Sequence, residues 1–267
     1  MPTEDARDRL RRLARGSRGG LLTTARAAEL LGVSTAKAPL DLGRLVRRGW
    51  LARVRRGLYL VVPLEADHEK AAVDDPWVLA RELFSPCYIG GWTAAEHWGL
   101  TEQLFRSTFV VTAASVRSSN PSFLGSEFHI VRATGSRVTS VPPIWRGPEK
   151  VAVSDRERTI ADALAAPGWV GGVRHLAEIL RTYRSSAEWS AERLVARVGE
   201  TGSGAALKRL GYLTETLLGG DSLIVERALA GRTSGLIRLD PGISGRGRLS
   251  TRWRLWKNVE LDEGEAS

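Results

Sequence analysis

The sequence predicts an α+β chain: a winged helix-turn-helix over residues 1–66, with its own N-terminal helix, followed by a larger mixed α/β domain over 67–267. Three observations predict it. The stretch 20–62 reads as helix, glycine turn, helix and tight hairpin. The remainder mixes helical periodicity with short runs of β-branched and aromatic residues. The charge is also unevenly divided. Of 39 Lys+Arg and 30 Asp+Glu, residues 1–62 hold 14 and 5, so the whole net charge of +9 sits in the first quarter. Positive charge confined to one small domain is the footprint of a phosphate-binding module, because each neutralised phosphate releases condensed counterions.

Residues 3–15 predict an amphipathic helix capped by Thr3. Glu4 and Asp5 suit its positive end and Arg11, Arg12 and Arg15 the other. Leu10 and Leu13 offer a narrow apolar edge, and the arginines suit phosphate contact and a solvated face equally. Residues 24–31 predict a second helix, with Thr23 or Thr24 as N-cap and Gly32 ending it, since glycine enters the left-handed region at little steric cost. Val33-Ser34 turns the chain into a third helix carrying Leu42, Leu45 and Val46 at helical spacing. Pro39 requires that this helix begin near residue 39 or distort its first turn. Gly49 stops it. Residues 50–55 and 58–62 alternate like strands around Arg55-Arg56-Gly57, which is hairpin chemistry.

In this arrangement the second helix of the turn enters the DNA major groove. Thr35, Lys37 and Arg44 are placed to read base edges. Arg47 and Arg48, at the C-terminal end, are placed to hold phosphate. Arg53, Arg55 and Arg56 of the wing would grip phosphate or enter a minor groove.

Residues 63–75 form a polar break. Asp75 caps a helix from Pro76 with an apolar face of Trp77, Leu79, Ala80, Leu83 and Phe84. Thr93, with Glu96 three residues on, has the spacing of a capping box. Residues 105–112 and 123–132 read as strands around a Ser/Asn-rich loop at 113–121; 138–144 reads as extended and 151–153 as a short strand. Ser154 and Glu157 again have capping-box spacing. Helices are expected over 173–183, 190–198 and 205–218, and a glycine-rich loop over 231–247. A last single strand is expected at 249–259, and residues 241–259 carry a second basic patch of Arg246, Arg248, Arg252, Arg254 and Lys257, interleaved with Trp253 and Trp256. That patch suits nucleic acid or an acidic partner, or simply guards an edge strand.

With 43% hydrophobic residues the chain can bury a core. Its single cysteine, Cys87, excludes an intramolecular disulfide and fits an inert thiol. No metal-ligand spacing and no phosphate-loop motif is present, so neither a metal nor a cofactor is expected. The charged N-terminus lacks the apolar core of a signal peptide, and no run approaches the roughly 18 apolar residues of a membrane span. A cytoplasmic protein with no membrane partner is expected.

In succession, RVRRGLY (53–59), YIGGWTAAEHWGL (88–100), SDRERTIADAL (154–164) with the Pro167-Gly-Trp-Val-Gly-Gly loop, RLGYLTE (209–215) and RWRLWKN (252–258) resemble the AbiEi-type antitoxins. These are the transcriptional-regulator half of bacterial type IV toxin–antitoxin systems, and the resemblance covers about residues 20–258. It implies a non-enzymatic, two-domain antitoxin with a role in phage defence. Its winged helix would bind inverted repeats in its own promoter and repress it. Its C-terminal domain would counteract a cognate nucleotidyltransferase-like toxin, functionally if not by physical contact. The protein would act as a monomer or weak dimer that pairs on double-stranded DNA. Carried over by motif, DNA contact falls to Arg44, Arg47, Arg48, Arg53, Arg55 and Arg56. Two alternatives stand beside it: a DNA-directed or nucleotide-directed enzyme using Glu96, His97, Asp155 and Glu157, and a ligand-sensing transcriptional regulator.

Overall fold

The structure, a computed structural model, describes residues 3–62 and 75–261, with the side chains of residues 3–5 left out. The expected cap at Thr3, the break at 63–74 with its boundary near residue 66, and the acidic tail beyond 261 lie outside the described residues. The chain divides into two compact units, Met1–Tyr88 with Val111–Ala152, and Ile89–Val110 with Val153–Ser267.

In the first unit, α1 (Thr3–Gly16) buries Ala6, Leu10 and Leu13, spaced as one face of a helix requires. A three-residue strand follows, β1 (Leu21–Thr23), and then α2 (Thr24–Leu31). Thr23 is the N-cap of α2: its Oγ1 accepts from the Arg26 N–H at 3.2 Å. Gly32 ends the helix at φ 64°. Helix α3 (Ala38–Arg47) leads into β2 (Leu51–Arg55) and β3 (Leu58–Val61). The strands order β1-β3-β2, both pairings antiparallel. Leu13, Leu22, Ala27, Leu42, Leu45, Leu51 and Tyr59 pack into one apolar core. This is the helix, turn, helix and hairpin of a winged helix.

The chain continues through α4 (Pro76–Phe84), β4 (Cys87–Ile89), α5 (Gly91–His97), β5 (Ser107–Thr112), β6 (Ser122–Phe123), β7 (Ser126–Arg132), α6 (Gly135–Thr139), β8 (Pro143–Arg146) and β9 (Glu149–Ala152). Strands β4-β5-β7-β6 form one sheet in that order, and β8 and β9 a separate antiparallel hairpin. Asp75 caps α4 as expected, accepting from the Trp77 N–H at 2.8 Å.

Three expectations are corrected here. Thr93 does not cap α5. The helix starts at Gly91, with Gly90 as N-cap, and the Thr93 hydroxyl accepts instead from the Phe109 N–H at 2.8 Å. Gly91, at φ 52°, faces Phe109 and the Trp169 carbonyl where a Cβ would collide, so the chain enters the helix at the one residue that fits. The strand expected at 123–132 is a tight hairpin, reversed at Leu124-Gly125, both in the left-handed region. Residues 138–144 are not extended throughout: Val138 belongs to α6 and is buried, and only from Pro143 does the chain extend.

The second unit is mainly helical: α7 (Arg156–Ala165), a 3-10 turn (Pro167–Val170), α8 (Val173–Arg184), α9 (Ala191–Glu200), α10 (Gly204–Leu217) and α11 (Ser222–Gly231). Asp155, not Ser154, caps α7, accepting from the Arg158 N–H at 2.6 Å; Ser154 is buried and bonds Thr159 at 2.7 Å. Strands β10 (Ile237–Arg238), β11 (Arg248–Ser250) and β12 (Leu255–Lys257) form a small sheet in the order β10-β12-β11. The single strand expected at 249–259 is therefore two, reversed through Arg254 at φ 51°. Trp253 between them is 1% exposed, so it belongs to the core and not to a basic patch. Gly211 of α10 lies against the Trp253 ring, and a Cβ there would run into it.

Candidate nucleic-acid interface

The approach to α3 settles the difficulty posed by Pro39. Ser34 caps a separate turn: its Oγ accepts from the Lys37 N–H at 3.3 Å, and its carbonyl accepts from the Lys37 and Ala38 N–H groups at 3.0 Å. Helix α3 then starts at Ala38 with Pro39 in its first turn, where a missing N–H leaves no hydrogen bond unmade. Ala38, Asp41, Leu42 and Leu45 are buried. Lys37, Leu40, Arg44 and Arg47, three or four residues apart, are exposed along one stripe, with Thr35 exposed in the preceding turn.

Arg44 is held by a residue to which sequence reading gave no role. Asp41 is buried, and its Oδ1 accepts from Arg44 Nη1 at 3.2 Å. A buried carboxylate needs a charged or hydrogen-bonding partner, so the pair orients Arg44 without removing it from solvent. Asp41 also lines a cleft of about 280 Å³ that gathers four arginines: Arg44 and Arg47 of α3, Arg48 at its C-cap, and Arg9 of α1. Arg9 follows Ala6 by three residues and precedes Leu10 by one, so its helical phase places it at the margin of the packed face. That phase is the signal by which it could have been found.

The wing is short. Arg56-Gly57 makes the turn, and the Gly57 carbonyl accepts from the Thr24 N–H at 3.0 Å, tying the turn to the start of α2. Arg53, Arg55 and Arg56 are all exposed. Arg55 is also tied within the fold: its Nη2 donates to the Glu82 carbonyl at 3.1 Å, in the negative last turn of α4. Among the described residues Arg47, Arg48, Arg53 and Arg56 have no carboxylate partner. Arg48 lies 5.5 Å from the centre of the Trp50 ring, close enough for a cation–π contact. All four side chains are exposed, so among the described residues no acid of the fold competes with an outside anion for them.

The second basic patch is put together differently. Arg252 pairs with Glu215 at 2.7 Å, and the same carboxylate accepts from Trp253 Nε1 at 2.6 Å. Arg254 donates to the Ser234 carbonyl at 2.7 Å. Arg246 lies 5.7 Å from the Trp256 ring centre, beside Arg248 and Lys257, which are register partners across β11 and β12.

Two carboxylates of the enzyme alternative, Asp155 and Glu157, have structural partners. Asp155 accepts from the α7 backbone and from Arg197 Nη2 at 2.8 Å; Glu157 accepts from the Tyr183 hydroxyl at 2.5 Å and from Arg193 Nε at 2.8 Å. Burial pushes the Tyr183 hydroxyl up, with Glu157 adding to the shift. His97 packs with its ring centre 4.5 Å from that of Trp98. Burial pushes the Cys87 thiol up to about 12, so it is protonated and a poor nucleophile at neutral pH.

The fold is similar to that of the crystal structure of the RV2827C protein from Mycobacterium tuberculosis, with a TM-score of 0.64 at 21% identity over 94% of this chain and 90% of that one. No curated protein matches the chain. No described helix is long and apolar enough to cross a membrane. Residues 8–62, from α1 through the wing, match the model of the family described as transcriptional regulator, AbiEi antitoxin, so the resemblance read from the sequence holds over the winged helix.

Proposed function

We propose that the chain is the antitoxin and autorepressor of a type IV toxin–antitoxin operon and carries out no catalytic step. Residues 1–66 bind inverted repeats in the operon's own promoter. Residues 67–267 counteract a nucleotidyltransferase-like toxin. Inverted repeats are two-fold symmetric, so a monomer or weak dimer would pair on the duplex. The observation that carries this reading is the row of exposed cations on α3 and the wing, in the segment that matches the regulator family. Thr35, Lys37 and Arg44 face base edges; Arg47, Arg48, Arg53 and Arg56 hold phosphates; Arg55 divides its donors between phosphate and Glu82.

The test is binding of the full chain to duplex from upstream of its own gene, read by footprinting and by anisotropy across salt concentrations. A defined footprint is expected, with a log–log salt slope of about −0.9 for each phosphate neutralised. Replacing Arg47, Arg48, Arg55 and Arg56 together by Ala should abolish it. A footprint unchanged in that variant defeats the reading. Co-expression with a neighbouring nucleotidyltransferase-like reading frame tests the second half: growth should be restored by the chain, and no rescue would remove the antitoxin role.

A further inference from the structure

Leu40 is the one large hydrophobic side chain that residues 3–62 hold out to solvent among the described residues, at 65% exposure. It is no slipped core residue. Leu42 and Leu45 of the same helix are buried, and Leu40 stands two residues before Leu42, about 200° away around α3. It follows Lys37 by three residues and precedes Arg44 by four, so both cations flank it on the exposed stripe. Pro39 beside it is exposed, and Gly43, one turn on, has no side chain to crowd it. The middle of the cationic face is therefore aliphatic and unobstructed.

A duplex offers such a side chain one chemically matched group in the major groove, the C5-methyl of thymine; the other three bases present only donors and acceptors on that edge. We infer that Leu40 covers a thymine methyl and makes α3 specific for a T·A pair at one position of each half-site. This rests on the proposed function, in which α3 enters the major groove. Lys37 and Arg44 supply charge and hydrogen bonds on either side, and Leu40 supplies a contact that a cytosine or a purine at that position cannot return.

The experiment uses the full chain and a duplex selected from a randomised pool by its binding. Each thymine is replaced in turn by uracil, which keeps the pairing and O4 and removes only the methyl. The wild-type chain should lose about fourfold in affinity at one position per half-site, the factor for burying one methyl-sized group. Leu40→Ala should bind the thymine duplex about fourfold more weakly and be indifferent to uracil at that position, closing a double-mutant cycle. Because Leu40 is exposed, the variant should keep the wild-type melting temperature. The inference is overturned if the wild type ignores every thymine-to-uracil change while still binding in a sequence-specific and salt-dependent way; that result leaves α3 in the groove. It is also overturned if Leu40→Ala remains sensitive to uracil, because another residue then touches the methyl. Absence of any sequence-specific duplex binding overturns the proposed function together with the inference.

Discussion

In the winged helix Arg47, Arg48, Arg53 and Arg56 stand in water with no carboxylate partner among the described residues. In the second unit Arg158, Arg193, Arg197 and Arg252 each end on a carboxylate, and Arg209 ends on four backbone carbonyls. The charge count mirrors this. Residues 63–267 carry as many acids as bases, 25 of each, and the excess of nine lies in 1–62. The difference teaches that arginine content alone is a poor guide to function. An arginine whose charge is compensated within the fold serves stability. One left uncompensated on a rigid surface is available to an outside anion, and its desolvation is deferred until binding.

The sharpest way to break the comparison is to exchange the expected consequences. Arg209 is 4% exposed and its guanidinium is bound by the carbonyls of Leu164, Ala165, Arg238 and Leu239; burial pulls its pKa down to about 10. Arg209→Met fills similar space but leaves those carbonyls without donors, so a loss of about 3–5 kcal/mol is expected. Denaturant midpoints with an unchanged m-value would measure it. A cost below about 1 kcal/mol would show that water replaces the guanidinium and that the buried arginine is dispensable.

The complementary change is Arg47→Ala with Arg48→Ala. Stability should stay within about 0.5 kcal/mol, as for surface substitutions without a buried partner. Affinity for duplex should fall by roughly 60-fold at 0.1 M salt, because each lost phosphate contact removes about 0.9 from the log–log slope. If the double variant unfolds more easily but binds as before, these arginines belong with those of the second unit.

The elements that were legible in the sequence are those held by local chemistry. Thr23, Asp75, Ser190 and Ser203 open α2, α4, α9 and α10, each through a side-chain bond to a backbone N–H two or three residues on, and Gly32 closes α2 in the left-handed region. What sequence reading missed depends on distant partners. Strand β1 is three residues long and exists because Leu21, Leu22 and Thr23 pair with β3 nearly forty residues later. Thr93 has the spacing of a cap but is claimed by the Phe109 amide. The same holds in the candidate site. The exposed cations of α3 follow from helical phase, and so would Leu40, out of phase with Leu42 and Leu45. That Arg9 joins them in one cleft and that Arg55 reaches the Glu82 carbonyl are facts of packing between elements, and Asp41 holds Arg44 from within α3, where its burial is set by what the helix packs against.

Arg252 supplies the smallest effect and the finest discrimination, because it lies in the second unit yet is 55% exposed. Its partner Glu215 is also bound by the buried Trp253 indole, so removing Arg252 leaves that carboxylate with a donor and partial access to water. An exposed pair of this kind contributes about 0–1 kcal/mol, and Arg252→Ala should shift the melting temperature by no more than a few degrees. Its salt slope on duplex should equal that of the wild type if the compensated arginines of this unit are structural. A slope reduced by about 0.9 would instead place a phosphate at Arg252 and mean that Glu215 yields its partner when DNA arrives. The division between the two regions would then be one of degree, set by how readily each carboxylate releases its arginine.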